Sequence, residues 1–316
     1  MQPRILIVDS HNAQITDATV NLHARNALVL ARHWGADLAA CEADLRPLEG
    51  KTYDVVIFNH ASAYFDTTAF VNFLKPMTNA RFFYITNEYN LGEAWPLWAL
   101  CRDYGFKFEV IANHEAKASK VVEKNVTHWT TLNLNALIYT PQEPPAPVAR
   151  LFDTSGDVVY YGAFREDRLP YFRKYFDKRL TVSTSLKNKV TFQREGLDAN
   201  FVDRLLWSGP DKRLFDFRAS LYIEDTSTHA NYNYLANRFY EALSHRRMVL
   251  FDLSCRGTVA KSGYPVGMNW FIDGPDELHA RAAGELPKGF NACQQYAHNE
   301  RQGVLWALDA IVGVTP

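Results

Sequence analysis

The segment NYNYLANRFYEALSHRRMVLFD, Asn231–Asp252, carries Asn237, Arg238 and Glu241 within about one helical turn of each other. A guanidinium can neutralise a phosphate, and a carboxylate three residues on can accept from two vicinal ribose hydroxyls. The polar lead-in THANYNY, Thr228–Tyr234, contains His229 and Asn233. If it opens the helix, its free backbone N–H groups favour an anion. The competing reading is an ordinary i,i+3 surface pair between Arg238 and Glu241.

Two other groups of residues fit the same chemistry. In YYGAFRED, Gly162 closes an apolar run and Arg165 follows three residues later. Glycine lets a ligand approach the backbone, and arginine offers paired donors to phosphate. Lys187 and Lys189 follow the next apolar run and read as loop lysines that could share that phosphate field. In the first half, Asp9, His60 and Glu88 each come at or just after an apolar run, where a general base for a hydroxyl acceptor could stand. Glu88 leads, between the polar neighbours Asn87 and Tyr89–Asn90; His60 is second, with Asp66 nearby. Asp9 with His11, and His114 with Glu115, follow. A helix cap is the competing reading of Glu88.

These residues need strands and helices to hold them. RILIV (4–8), DVVIF (54–58), RFFYI (81–85) and FKFEVI (106–111) read as strands. Helical spacing covers 20–34, 65–74 and 94–104 between them. The second half alternates likewise: strands at 157–162, 179–185, 220–225 and 248–252, helices at 169–176, 198–207 and from 231. A last helix spans 291–312. Apolar, β-branched strands alternating with helices predict mainly parallel sheets covered on both faces. PQEPPAP, Pro141–Pro147, has four prolines in seven residues and reads as a stiff linker. The expected division is 1–145, 146–290 and a terminal helix, 291–316.

Several classes are excluded or disfavoured. No glycine occurs between Met1 and Trp34, so the GxGxxG turn of the usual NAD site is missing, as are a P-loop and a G-x-S-x-G elbow. No D-x-D pair offers a simple metal-held diphosphate. Cys41, Cys101, Cys255 and Cys293 lack zinc-site spacing and fit a reducing cytoplasm. No run of 18 apolar residues predicts a membrane span. A net charge of −1 rules out a globally basic nucleic-acid binder, though not a local groove.

The motifs YYGAFREDRLPYFRKYF and NYLANRFYEALSHRRMVLFD resemble those of metal-independent glycosyltransferases of the two-Rossmann-domain (GT-B) type, especially small phage enzymes. The resemblance implies two Rossmann-like domains facing a central cleft, with the C-terminal helix crossing back to the first. It implies a nucleotide-sugar donor, with UDP the commonest, and no separate cofactor. Glu241 would bind the ribose and Arg165 the diphosphate. Many members carry a second glutamate seven residues earlier; here that position is Tyr234, so the sugar contact passes to Asp225, His229 or Asn233. SHRRM also replaces a small-residue turn. The phage likeness implies double-stranded DNA bearing hydroxymethylated pyrimidine as acceptor and a host-cytoplasm location. Lys117, Lys120 and Lys124 beside His128 and Trp129, with Tyr64 and Phe65, could track a phosphate backbone and stack a base. A solvated helix face with a buried tryptophan is the plainer reading. A small or cell-surface glycan acceptor, a silent nucleotide-binding or polyanion-binding module, and a nucleotide-sugar epimerase stay open.

Overall fold

A computed structural model of the 316-residue chain describes residues 2–9, 22–39, 42–59, 67–87, 102–114, 120–142, 158–205, 213–225, 228–229 and 234–315. The chain divides into two compact units, Met1–Ile138 with Arg301–Pro316, and Tyr139–Glu300. The first boundary therefore precedes the proline run, and the second falls inside the last helix.

The first unit contains β1 (Ile5–Val8), α1 (Leu22–Trp34), β2 (Asp37–Ala39), β3 (Val55–Asn59), α2 (Thr67–Leu74), β4 (Arg81–Thr86), β5 (Phe108–Ala112), α3 (Lys120–Glu123) and β6 (Val126–Thr131). Its strands form one parallel sheet in the order β2-β1-β3-β4-β5-β6. β1 and β3 are buried along their whole length, as expected of strands covered on both faces. Phe58, Phe82 and Phe108 pack edge-on and offset in the core beneath. After β1 the chain builds β2 on one side and returns to β3 on the other. The carboxyl ends of β1 and β3 thus mark the switch point at which open α/β sheets bind ligands.

The second unit repeats the plan: β7 (Val158–Tyr161), α4 (Leu169–Tyr175), β8 (Leu180–Ser183), α5 (Leu186–Arg194), β9 (Asn200–Val202), β10 (Ala219–Tyr222), α6 (Asn237–Ser244), β11 (Met248–Asp252), α7 (Arg256–Ser262), β12 (Phe271–Ile272) and α8 (Pro275–Ala283). The parallel order is β12-β11-β10-β7-β8-β9. Counted from β7 this is 3-2-1-4-5-6 read from the far edge, the Rossmann order, with the switch point between β7 and β10. Tyr160, Phe172, Phe176 and Phe192 fill the core on one face.

α9 (Phe290–Val312) begins in the second unit and ends in the first. Within the second unit, its Glu300 accepts from the Tyr240 and Tyr264 hydroxyls at 3.0 and 2.6 Å. Within the first, Asp309 accepts from the Trp34 indole at 2.7 Å and meets His33 at 2.9 Å, while Arg81 donates to the Ile311 carbonyl at 2.8 Å.

Three local expectations need correction. Residues 200–202 form β9 rather than part of a helix, because Thr181, Val182 and Ser183 of β8 offer an open ladder edge beside them. A short apolar run does not decide between the two states; pairing does. The helix expected from 231 begins at Asn237. Ala236 is extended (φ −67, ψ 161) and donates its N–H to the Tyr222 hydroxyl at 2.8 Å, so a tertiary bond delays the helix. Thr228–Tyr234 is therefore not its first turn. Lys187 and Lys189 lie in α5, capped by Ser185, rather than in a loop.

Candidate functional site

At the carboxyl end of β7 the chain runs into Gly162, a 3-10 turn at Glu166–Arg168, and then α4 with a proline in its first turn. Both backbone groups of Gly162 are engaged: its N–H donates to the Ser183 carbonyl at 3.3 Å and its carbonyl accepts from Thr184 Oγ1 at 2.8 Å. A side chain there would meet the Tyr160 hydroxyl at 3.0 Å. The Phe164 N–H donates to Asn188 Oδ1 at 3.2 Å, which pins the first turn of α5 to this segment. Arg165 and Lys187 are exposed, and Arg165 lies with Glu166 and Asp167 on a shallow, open part of the surface.

The carboxyl end of the adjacent strand, β10, presents Glu224 and Asp225, both buried. Arg168 Nη2 donates to Glu224 Oε2 at 2.6 Å and to Asp225 Oδ2 at 2.8 Å. Arg238, from the first turn of α6, places Nη2 at 3.3 Å from Glu224 Oε1 and donates from Nη1 to the Ile223 carbonyl at 3.1 Å. One carboxylate thus lies between the buried Arg168 and the largely buried Arg238, and a second holds Arg168 from the side. Arg238 also stands over the Tyr222 ring, 5.3 Å from its centroid, and 6.0 Å from that of Tyr160.

The electrostatics follow from this pairing. Burial opposes the charge on Arg168 and Arg238, yet Glu224 with the neighbouring phenol and carboxylate groups holds both above the ordinary arginine value. Burial would raise the Asp225 carboxyl; the Thr228 N–H and hydroxyl, with Arg168, outweigh it and hold the group at about 2. Asp225 Oδ1 accepts from the Thr228 N–H at 2.7 Å, so the carboxylate that holds Arg168 also folds the turn carrying His229. The His229 N–H donates to the Asp225 carbonyl at 3.1 Å, and its Nδ1 meets Thr258 Oγ1 at 2.7 Å. Two arginines and two carboxylates therefore share one switch point with their charges balanced, so both guanidinium groups are held in place without being left unpaired.

Asn237, Arg238 and Glu241 do not form a solvated edge. Glu241 has no exposed surface, and its Oε1 accepts from Asn237 Nδ2 at 3.2 Å. Arg238 pairs with Glu224, 14 residues upstream, rather than lying on the surface beside Glu241. Sequence reasoning missed Arg168, Glu224 and Tyr160. The available signal was charge placed directly after two buried strands, RED-R after Gly162 and ED after YI.

In the first unit, Asp9 is fully buried at the end of β1 and accepts from Asn59 Nδ2 at 3.1 Å. The pair occupies that sheet's switch point. Asn87, at the end of β4, donates to Asn135 at 2.7 Å and accepts from Asn26 at 3.1 Å; Asn113, after β5, donates to the same Asn135 oxygen at 3.2 Å. Lys120, Lys124 and His128 are exposed, whereas Trp129 packs half-buried against the core. His60, Glu88 and Asn233 lie outside the described residues, as do His11, Tyr64, Phe65, Asp66, Tyr89, Asn90, Glu115 and Lys117.

No protein-family model and no curated protein sequence matches the chain. Solved structures do. T4 phage BGT in complex with UDP and Mn2+ aligns with a TM-score of 0.61 at 15% identity, over 98% of this chain and 99% of that one. A point mutant of T4 phage BGT in complex with UDP-glucose aligns at 0.60 and 14% identity, over 95% of each. An α-glucosyltransferase bound to UDP and a 13-mer DNA containing a HMU base aligns at 0.60 with 8% identity, over 99% of this chain and 100% of that one. With a Rossmann-like parallel sheet in each unit and these full-length alignments, the chain has the two-Rossmann-domain (GT-B) fold of phage glucosyltransferases.

Proposed function

We propose that this chain is a glycosyltransferase. It takes a nucleotide-diphosphate sugar in the second unit and moves the sugar to a hydroxyl acceptor held by the first. The observation that carries the reading is the buried Arg168–Glu224–Arg238 bridge at the β7/β10 switch point. A departing diphosphate gains negative charge in the transition state, and preorganised guanidinium groups stabilise it most where solvent is excluded. Arg168 and Arg238 are assigned to that charge, with Arg165 and Lys187 at the open rim. Glu241 is assigned to the ribose through Oε1, the hydroxyls replacing the Asn237 amide. Asn233 and His229 are assigned to the sugar side, and Gly162 to close approach of the backbone.

The base that receives the acceptor proton is assigned to the group Asp9, His60 and Glu88. Asp9 stands at the end of β1, and His60 and Glu88 follow β3 and β4 in the sequence; these three strands are neighbours in the sheet, so their carboxyl ends share one edge. UDP is the proposed donor nucleotide and 5-hydroxymethylpyrimidine in duplex DNA the proposed acceptor; structures of the same fold were solved with UDP and, in two cases, also with DNA containing a HMU base. The net charge of −1 favours a second reading, a small or cell-surface glycan acceptor.

The test is transfer from a panel of UDP-, GDP-, ADP- and CDP-sugars to duplex DNA containing 5-hydroxymethylcytosine. Product nucleosides are read by mass spectrometry, with EDTA in one arm and Mn2+ in another. A hexosylated nucleoside establishes the acceptor. Donor binding without transfer to DNA, together with salt-independent behaviour, moves the assignment to a glycan. No donor binding at all ends the glycosyltransferase reading.

A further inference from the structure

Tyr160 is the third residue of β7 and has no exposed surface. Its ring belongs to the core, edge-on to Phe172 at 5.5 Å and tilted against Phe176 at 5.8 Å. Its hydroxyl is buried and makes no hydrogen bond among the described residues. Phenolic hydroxyls are almost always satisfied when buried, because an unmade bond costs about 1–3 kcal/mol.

The position of that hydroxyl narrows what could complete it. It lies 3.0 Å from where a side chain on Gly162 would begin, at the carboxyl edge of β7. The N–H and carbonyl of Gly162 are already engaged with Ser183 and Thr184 and cannot serve it. Arg238 stands 6.0 Å from the ring centroid. Arg168 Nε is likewise buried without a hydrogen-bond partner among the described residues. One O–H and one N–H, beside two positive groups, call for a ligand rich in acceptor oxygens.

We propose that Tyr160 is a ligand-contacting residue whose hydroxyl donates to a phosphate oxygen of a bound nucleoside diphosphate, beside Arg168 and Arg238. Glycine suits residue 162 for its φ of +159 and, on this view, also because a side chain there would crowd that hydroxyl at 3.0 Å. The proposal rests on the donor-site reading above, and it adds a neutral donor that no local sequence pattern singles out.

The experiment compares the wild-type chain with Tyr160→Phe, which keeps the ring in the core and removes only the oxygen. Binding of UDP, GDP, ADP and CDP is measured by calorimetry, and unfolding midpoints are recorded without ligand. If the wild type binds none of the four, the donor-site reading fails before this one is reached. With a binding nucleotide found, Tyr160→Phe is expected to bind it about tenfold to a hundredfold more weakly. Its ligand-free midpoint should be unchanged or higher, since an unsatisfied group has gone. Unchanged affinity overturns the proposal, because the hydroxyl is then only a tolerated defect. A lower ligand-free midpoint also overturns it, because the hydroxyl then has a partner in the free protein. Gly162→Ala supplies an independent check: its loss of affinity should shrink in the Tyr160→Phe background, where nothing remains to be displaced. Equal losses in both backgrounds overturn the account of Gly162.

Discussion

Glu224→Gln is the sharpest perturbation of the site, because it removes one charge and leaves shape and acceptor oxygen almost intact. In the folded chain Glu224 meets Arg168 at 2.6 Å and Arg238 at 3.3 Å, with essentially no exposed surface. At an effective dielectric of about 20, a unit pair near 3 Å attracts with roughly 5–6 kcal/mol before desolvation is subtracted. Removing one member of such a buried set costs about 3–5 kcal/mol, since the remaining charges stay buried without balance. The amide keeps part of the hydrogen bonding, so about 3 kcal/mol is expected. For a chain of this size each kcal/mol moves the unfolding midpoint by about 2–4 °C, giving a fall of roughly 6–12 °C.

The response to an anion follows from the same charges. Wild type balances Arg168 and Arg238 with Glu224 and Asp225; the variant leaves one positive charge in excess. Pyrophosphate should therefore stabilise Glu224→Gln by more than it stabilises wild type. The assay is thermal unfolding of both proteins with and without pyrophosphate at constant ionic strength. A midpoint within about 2 °C of wild type, below the shift that even 1 kcal/mol produces, refutes the buried-bridge energetics. A deficit of equal size with and without pyrophosphate refutes the charge balance.

Three further outcomes follow from other contacts. Asp225 titrates near 2 in the folded chain against 3.8 for a free carboxyl, so its stabilisation is complete above 3.8 and is lost as pH falls through 2. Acid titration of stability should show ~2 kcal/mol lost over that window, and Asp225→Asn should flatten the slope. Asp309→Ala leaves the Trp34 indole N–H and His33 without their shared acceptor, and denaturant unfolding should register a loss of about 1–3 kcal/mol. Asn135→Ala removes the oxygen that accepts from both Asn87 and Asn113 at the ends of β4 and β5. A loss of about 2–3 kcal/mol is expected, with faster hydrogen exchange at the backbone amide of Leu134, which Asn113 Oδ1 holds at 2.7 Å.

The strands that were legible in the sequence are the ones buried on both faces. RILIV, DVVIF and MVLFD are unbroken apolar runs, and burial of every residue in β1, β3 and β11 is the reason. β6, VTHWTT, sits at a sheet edge with mostly exposed or half-exposed residues, so no apolar run marks it. β2 and β12 are too short to carry a period at all. The start of α6 was misplaced because the decisive bond, from the Ala236 N–H to the Tyr222 hydroxyl, joins residues 14 apart. At the candidate site, Gly162, Arg165, Arg238 and Glu241 stand out as residue types in local patterns. Arg168 and Glu224 do not, because their pairing is created by β7 lying beside β10, 56 residues apart in sequence.

That sheet adjacency also explains why the arginines can be buried in the free chain. An anion site built from two uncompensated guanidinium groups would be costly to fold, since each buried charge loses its hydration. Glu224 and Asp225 remove that cost by neutralising the pair from the β10 side. The donors left over are Arg168 Nε and the Tyr160 hydroxyl, the latter beside Gly162 at the end of β7. In the proposed donor site a diphosphate would meet positive groups already fixed in place, so little reorganisation would be required as its charge grows. The carboxylates weaken the attraction for a bound anion in its ground state. The growing charge on the leaving diphosphate is what the fixed guanidinium groups reward most. Replacing Glu224 should accordingly tighten pyrophosphate binding and yet slow transfer, as the arginines lose the anchor that orients them. If transfer and binding instead improve together in Glu224→Gln, the carboxylate serves folding alone.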